Sequence, residues 1–183
     1  MELSKQQQQL LLPLARYTPW DAGEAAFVQR TQTFITEHTD CLLRSQLAGH
    51  WTASAWVIDP ATEQVLLIHH RKLDRWFQPG GHADGNPDLS AVAKTEVQEE
   101  TGLAHLQLAQ DSLFDLDVHL IPERKGIPAH FHYDHRYLFH ADSSQPLNHN
   151  HEAKAVNWVP LTQVAQYNDD RSLIRLVEKM LKK

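Results

Sequence analysis

The sequence predicts an α/β fold of the α+β kind, preceded by a helical N-terminal extension. Three observations carry that expectation. From Trp51 onward, short β-rich runs replace the polar, helix-like pattern of residues 1–48. A glycine-bearing loop then leads into a helix that Gly102 closes. Finally, Leu173, Leu176, Val177 and Met180 share one face of a terminal helix near 170–181. The expected units are residues 1–48 as the extension and 49–183 as the main domain.

Within the extension, Asp21-Ala-Gly-Glu24 has the form of a capping box and starts a helix through Phe27 and Ile35. The Gln6 to Gln9 tract reads as a solvated helix face. Runs 51–58 and 64–70, separated by a turn at Asp59-Pro60, make a hairpin. Residues 71–88 form a loop carrying Pro79-Gly80-Gly81 and Gly85. Asn86 as N-cap and Pro87 at the first helical position predict a helix over 87–101. Strands follow at 112–121, 130–140 and 153–159. In the second of these, His130, His132, Asp134 and Arg136 face one way, and Phe131, Tyr133, His135 and Tyr137 the other.

Composition narrows the function classes. The 183 residues carry 17 Lys plus Arg against 23 Asp plus Glu, a net charge of −6, so the footprint of a duplex nucleic-acid binder is missing. With 42% hydrophobic residues the chain can build its own core. Cys41 stands alone, which excludes a disulfide framework, favours a cytoplasmic setting and suits a small buried hydrophobe. No apolar run approaches the roughly 18 residues of a membrane span, and no secretory signal is expected at the N-terminus. A small molecule is the expected partner. The 13 histidines are too scattered for a purification tag.

The helix after the glycine loop is the informative element. Glu96, Glu99 and Glu100 fall within an arc of about 100° on the side that also carries Leu89, Val92 and Ala93. Carboxylates crowded on an apolar side raise one another's pKa and pay for desolvation unless a cation neutralises them. Their hard oxygen donors favour Mg²⁺ or Mn²⁺. Gly80-Gly81, just upstream, lets backbone approach a ligand because no Cβ intervenes.

The stretch from Gly81 to Leu103, Gly-His-Ala-Asp-Gly-Asn-Pro-Asp-Leu-Ser-Ala-Val-Ala-Lys-Thr-Glu-Val-Gln-Glu-Glu-Thr-Gly-Leu, resembles the Nudix box of the Nudix hydrolase superfamily in register over its full span. Trp76 before Pro79-Gly80-Gly81, the hairpin, and Trp158-Val-Pro-Leu161 extend the resemblance from Trp51 toward the C-terminus. It implies an α/β/α sandwich around a mixed sheet, and Mg²⁺-dependent attack of water on a phosphorus of a nucleoside diphosphate derivative. By the same resemblance Glu99 and Glu100 are metal ligands, Glu96 is the catalytic base or a further ligand, the Gly80 carbonyl completes the shell, and Glu152, six residues before Trp158, adds a carboxylate. Two positions depart from the family pattern. Pro87 stands where the box has a glutamate, and Thr95 where it has an arginine; Asp84 and Asp88 are candidate replacements for the lost carboxylate.

Softer candidates surround this motif. Arg71, Lys72 and Arg75 are placed to meet substrate phosphates or solvent. Gly81, His82 and His132 are expected to line the pocket, and Trp76 and Phe77 to stack on a base or fill the core. Two alternatives stand beside the hydrolase reading. One is a catalytically weak or inactive Nudix-fold nucleotide-binding module, suggested by Pro87 and Thr95. The other is a zinc hydrolase, because His130, His132, Asp134 and His135 spell H-x-H-x-D-H, similar to the motif of metallo-β-lactamase-fold hydrolases. The N-terminal helices are expected either to cover the pocket or to form a homodimer interface.

Overall fold

The computed structural model describes residues 2–124 and 126–182. In chain order these form α1 (Lys5–Arg16), α2 (Ala22–Glu37), β1 (Gly49–Asp59), β2 (Gln64–His70), β3 (Arg75–Phe77), β4 (Gly80–His82), α3 (Leu89–Thr101), β5 (Gln107–Leu108), β6 (Asp115–Ile121), β7 (His130–His140), β8 (Ala153–Pro160), a 3₁₀ turn, α4 (Val164–Tyr167) and α5 (Arg171–Leu181).

β1 is buried along its whole length, as a central strand covered on both faces must be. It pairs in parallel with β7 and antiparallel with β2 and β4. β3 and β8 extend the sheet from β2, while β5 and β6 pair with β7. One mixed sheet results. Alternation along β1 then sorts the core into two layers. Trp51, Ala53, Ala55 and Val57 pack with Leu10, Leu14, Phe34 and Ile35 of α1 and α2 and with Val92, Ala93 and Val97 of α3. Trp56 and Ile58 pack with Leu173, Leu176 and Val177 of α5. The expected α/β/α sandwich is present.

Several local expectations are corrected. The cap of α3 is Asp88, whose side chain accepts from the Ala91 N–H, so the helix starts at Leu89 and not at Pro87. Asn86 instead accepts from the Asp88 N–H within the preceding turn. The 71–88 loop contains β3 and β4, and the strand expected from 112 begins at Asp115. Gln7 is buried, not solvated: it completes a capping box with Ser4, and its amide donates to the Ile35 carbonyl at 2.6 Å. Asp21 does cap α2, but Glu24 turns away to accept from Tyr17 Oη and from the backbone N–H groups of Trp20 and Leu116.

Glu24 also opens a buried chain of charge. Lys179 Nζ lies 2.5 Å from Glu24 Oε1 and 2.6 Å from Asp115 Oδ1. Arg175 grips both oxygens of Asp115 at 2.8 Å and reaches Asp117 at 3.1 Å. Arg136 then joins Asp115 and Asp117 to Asp134, whose Oδ2 is 2.8 Å from its Nε. Burial alone would raise Asp115 and Asp117, yet both carboxyls lie below their ordinary range because Arg136 and Arg175 hold them ionised. α2, β6, β7 and α5 are thereby tied together through ions rather than through apolar contact alone.

Candidate active site

The apolar layer under α5 gives way to polar side chains toward the start of β1. Thr52 and Ser54 lie on the face of Trp56, and both donate to Asp134, at 3.0 and 2.9 Å. With His132, Arg136, Asp117 and His119 they floor a cleft of about 700 Å³, a volume suited to a small ligand. The strand expectation for β7 holds on both faces: Phe131, Tyr133 and Tyr137 enter the first core, while His132, Asp134 and Arg136 border the cleft.

The wall of the cleft is acidic. α3 buries Leu89, Val92, Ala93 and Val97, and that orientation sends Glu96, Glu99 and Glu100 toward the glycine turn. Glu100 Oε2 accepts from the Gly80 N–H at 3.0 Å. A Cβ on Gly81 would overlap the Glu96 carboxylate, so the box needs glycine there for close approach. From the loop before β8, Glu152 lines the same cleft. Burial pushes the Glu100 carboxyl up to about 8, opposed by the Gly80 N–H and reinforced by Glu96, Glu152 and Glu99. Glu96 is raised by burial and then by the charges of Glu99 and Glu152. Such a set fits a hard divalent cation, which would remove the repulsion that raises both groups.

The remaining sequence candidates are distributed less simply. His82 lines the cleft, with burial lowering its imidazole to about 4. Arg71 does not border the cleft; its guanidinium donates to the carbonyls of His151 and Ala153, at 2.8 and 3.0 Å, on either side of Glu152. It therefore fixes the loop that presents that carboxylate. Arg75 holds Asn168 at 2.7 Å, and Asn168 in turn borders the cleft. Trp76 stacks on His69 and meets Tyr167 edge-on, whereas Phe77 faces the cleft.

At the two departures from the box, Thr95 is exposed and bonds its own helix at Ala91, and Pro87 precedes the Asp88 cap. Arg44, from the segment before β1, enters instead: it pairs with Asp84 through two hydrogen bonds, borders the cleft, and its charge acts on Glu96. Of the two replacement carboxylates, Asp84 is thus ion-paired and Asp88 is a cap. Arg44 was not visible as a site residue because only folding brings it to a box 40 residues later. The zinc set is not assembled. Asp134 is committed to Thr52, Ser54 and Arg136, and His135 stacks at 4.3 Å on Trp51 across the sheet.

The NUDIX domain model matches residues 49–179. The chain belongs to the NUDIX domain family. Among solved structures, a C. elegans Ap4A hydrolase in a binary complex is 20% identical, with a TM-score of 0.59 over 72% of this chain and 95% of its own. The E. coli dihydroneopterin triphosphate pyrophosphohydrolase is 15% identical, with a TM-score of 0.55 over 70% and 92%. A Nudix hydrolase of M. smegmatis is 17% identical, with a TM-score of 0.55 over 73% and 85%. At these identities the likeness shows the Nudix fold. No curated protein matches the chain in sequence. Family membership makes this chain a Nudix-type pyrophosphohydrolase. No helix among the described residues is long and apolar enough to cross a membrane.

Proposed function

We propose that this Nudix enzyme uses Mg²⁺ or Mn²⁺ to cleave a pyrophosphate bond in a nucleoside diphosphate derivative. The observation that carries the reading is the convergence of Glu96, Glu99, Glu100 and Glu152 on one cleft, where Arg44, the cation facing Glu96, is already paired with Asp84. Glu99, Glu100, Glu152 and the Gly80 carbonyl would hold the ion. Bound there, it supplies acidified water and charge neutralisation at the phosphoryl oxygens.

The chain's own groups do the rest. Glu96 accepts the proton of the attacking water. The new bond joins water oxygen to phosphorus, and the bridging P–O bond breaks toward the departing phosphate. Arg44 at the rim is placed to meet a phosphate. Arg71 and the Gly80 N–H hold Glu152 and Glu100 still. The buried lone Cys41 suits a reducing, cytoplasmic setting. The Ap4A hydrolase and the dihydroneopterin triphosphate pyrophosphohydrolase that share the fold support a phosphoanhydride substrate of nucleotide type.

The test is hydrolysis of a panel of nucleoside diphosphate derivatives with and without Mg²⁺ or Mn²⁺. Metal-dependent turnover is expected, with kcat lowered about 10²–10⁴-fold in Glu96→Gln, the range set by a lost general base. Glu100→Gln should weaken metal activation. No metal-dependent turnover on any compound, or two unimpaired variants, would overturn the reading.

A further inference from the structure

Five of the thirteen histidines gather on the Thr52 and Ser54 face of the sheet, and hydrolysis by the carboxylate cleft does not require them all. Three form a closer group. His50 on β1 stands opposite His132 on β7 in the parallel register, and His130 lies two residues earlier on the same face. Their ring centroids are 4.9, 4.9 and 5.3 Å apart. One ring nitrogen of each lies within 4.8 Å of the other two.

Outer hydrogen bonds fix how two of these rings point. His130 Nδ1 is 2.8 Å from the Pro128 carbonyl, and His50 Nδ1 is 3.4 Å from that of Gln46. A carbonyl only accepts, so in both rings Nδ1 carries the proton and Nε2 keeps a lone pair. Metal-binding histidines are oriented by this kind of backbone contact. His50 is 5% exposed, and its Nε2 has no hydrogen-bond partner. A buried acceptor left so is costly, and neighbouring ring nitrogens that are themselves acceptors cannot satisfy it.

We propose that His50, His130 and His132 form a second metal site, one for Zn²⁺, separate in position and chemistry from the carboxylate site. Imidazole nitrogens suit zinc, whereas Mg²⁺ selects oxygen. Zn–N bonds of about 2.0–2.1 Å set tetrahedral ligand nitrogens roughly 3.3 Å apart, so modest rotations of the three rings close the site. Three protein ligands leave one coordination position, and His132 places it beside the cleft. The site uses none of the glutamates, so it stands or falls independently of the hydrolase reading.

Calorimetric titration of the full chain with Zn²⁺, in excess Mg²⁺ to occupy the glutamates, tests this directly. One equivalent of tight Zn²⁺ is expected. His130→Gln and His50→Gln should each weaken it at least 100-fold while far-UV circular dichroism stays native, and Glu100→Gln should leave it unchanged. Co²⁺ in the unmodified protein should give the intense visible bands of a four-coordinate imidazole site, which keeps the test valid if a variant fails to fold. Zinc binding that survives both histidine changes, binding lost in Glu100→Gln, no stoichiometric zinc, or only the weak bands of six-coordinate oxygen ligation would overturn the proposal.

Discussion

Replacing Lys179 with methionine keeps the aliphatic stem and deletes one ammonium from the buried charge chain. That ammonium contacts Glu24 Oε1, Asp115 Oδ1, Tyr17 Oη and the Phe114 carbonyl, and both carboxylate side chains are 0% exposed. Water cannot take its place. Breaking a buried pair typically costs about 3–5 kcal/mol, because the partner is left charged in a medium that solvates it badly. Here Asp115 retains Arg175 and Arg136, and Glu24 retains three donors, so the expected loss sits near the lower end, about 3 kcal/mol. For a domain of this size that lowers Tm by roughly 6–12 °C. Urea unfolding of the wild type, Lys179→Met, Glu24→Gln and the double variant gives the comparison. The double variant should be less destabilised than the two singles added, by about 1–3 kcal/mol, since neither partner is then stranded. A single-variant loss below about 1 kcal/mol, or strict additivity, would refute the claim that these charges are coupled in the folded state.

Three further outcomes follow from the same geometry. In Gly81→Ala the new methyl displaces the Glu96 carboxylate while φ stays permissible, so kcat should fall about 10²-fold with Tm little changed; unaltered kcat would separate Glu96 from the chemistry. Arg44→Ala removes an exposed pair, worth less than about 1 kcal/mol of stability. Under the proposed role of Arg44 toward a substrate phosphate, kcat/KM should nevertheless fall about 10–100-fold, and unchanged kinetics would refute that role. Asp59 is held at about 2 by Ser143 and by the Ala61 N–H. Its folded pKa is below the unfolded value, so its stabilisation is full above about pH 4 and disappears as pH falls toward 2. Asp59→Asn should therefore melt earlier at pH 7 and match the wild type near pH 2; a gap independent of pH would contradict this assignment.

The elements legible in the sequence are those whose signal is local. The hairpin, β7 and α5 announce themselves through alternation or helical spacing, and the box needed no partner to be read. What escaped depends on contacts distant in sequence. β3 and β4 are three-residue strands defined by pairing with β2 and β1, and three residues carry no periodicity. Asn86-Pro87 has the residue preferences of a helix start, yet Asp88 lies within reach of the Ala91 N–H and takes the cap. Ser4 and Gln7 do spell a capping box, a local signal that would have started α1, although nothing nearby says that Gln7 will be buried under α2. Arg175 and Lys179 lie off the apolar stripe of α5, where helical spacing alone predicts solvated charge, yet both are buried because their partners come from β6 and α2. For the same reason Arg44 and His50, outside any motif, join the box and β7 only in three dimensions.

The salt-bridged attachment of α2 has a consequence for how substrate reaches the cleft. A cover that opens at every turnover must be cheap to lift, and its contacts should be wet and few. Raising α2 would instead strip Lys179 of Glu24 and bare the Asp115 cluster, whose far end supports Asp134 on the cleft floor. By these contacts α2 is built into the support of the sheet rather than hinged over the cleft. Any shortened version of this enzyme that begins at β1 would keep the whole Nudix box and still lose the footing on which its floor stands.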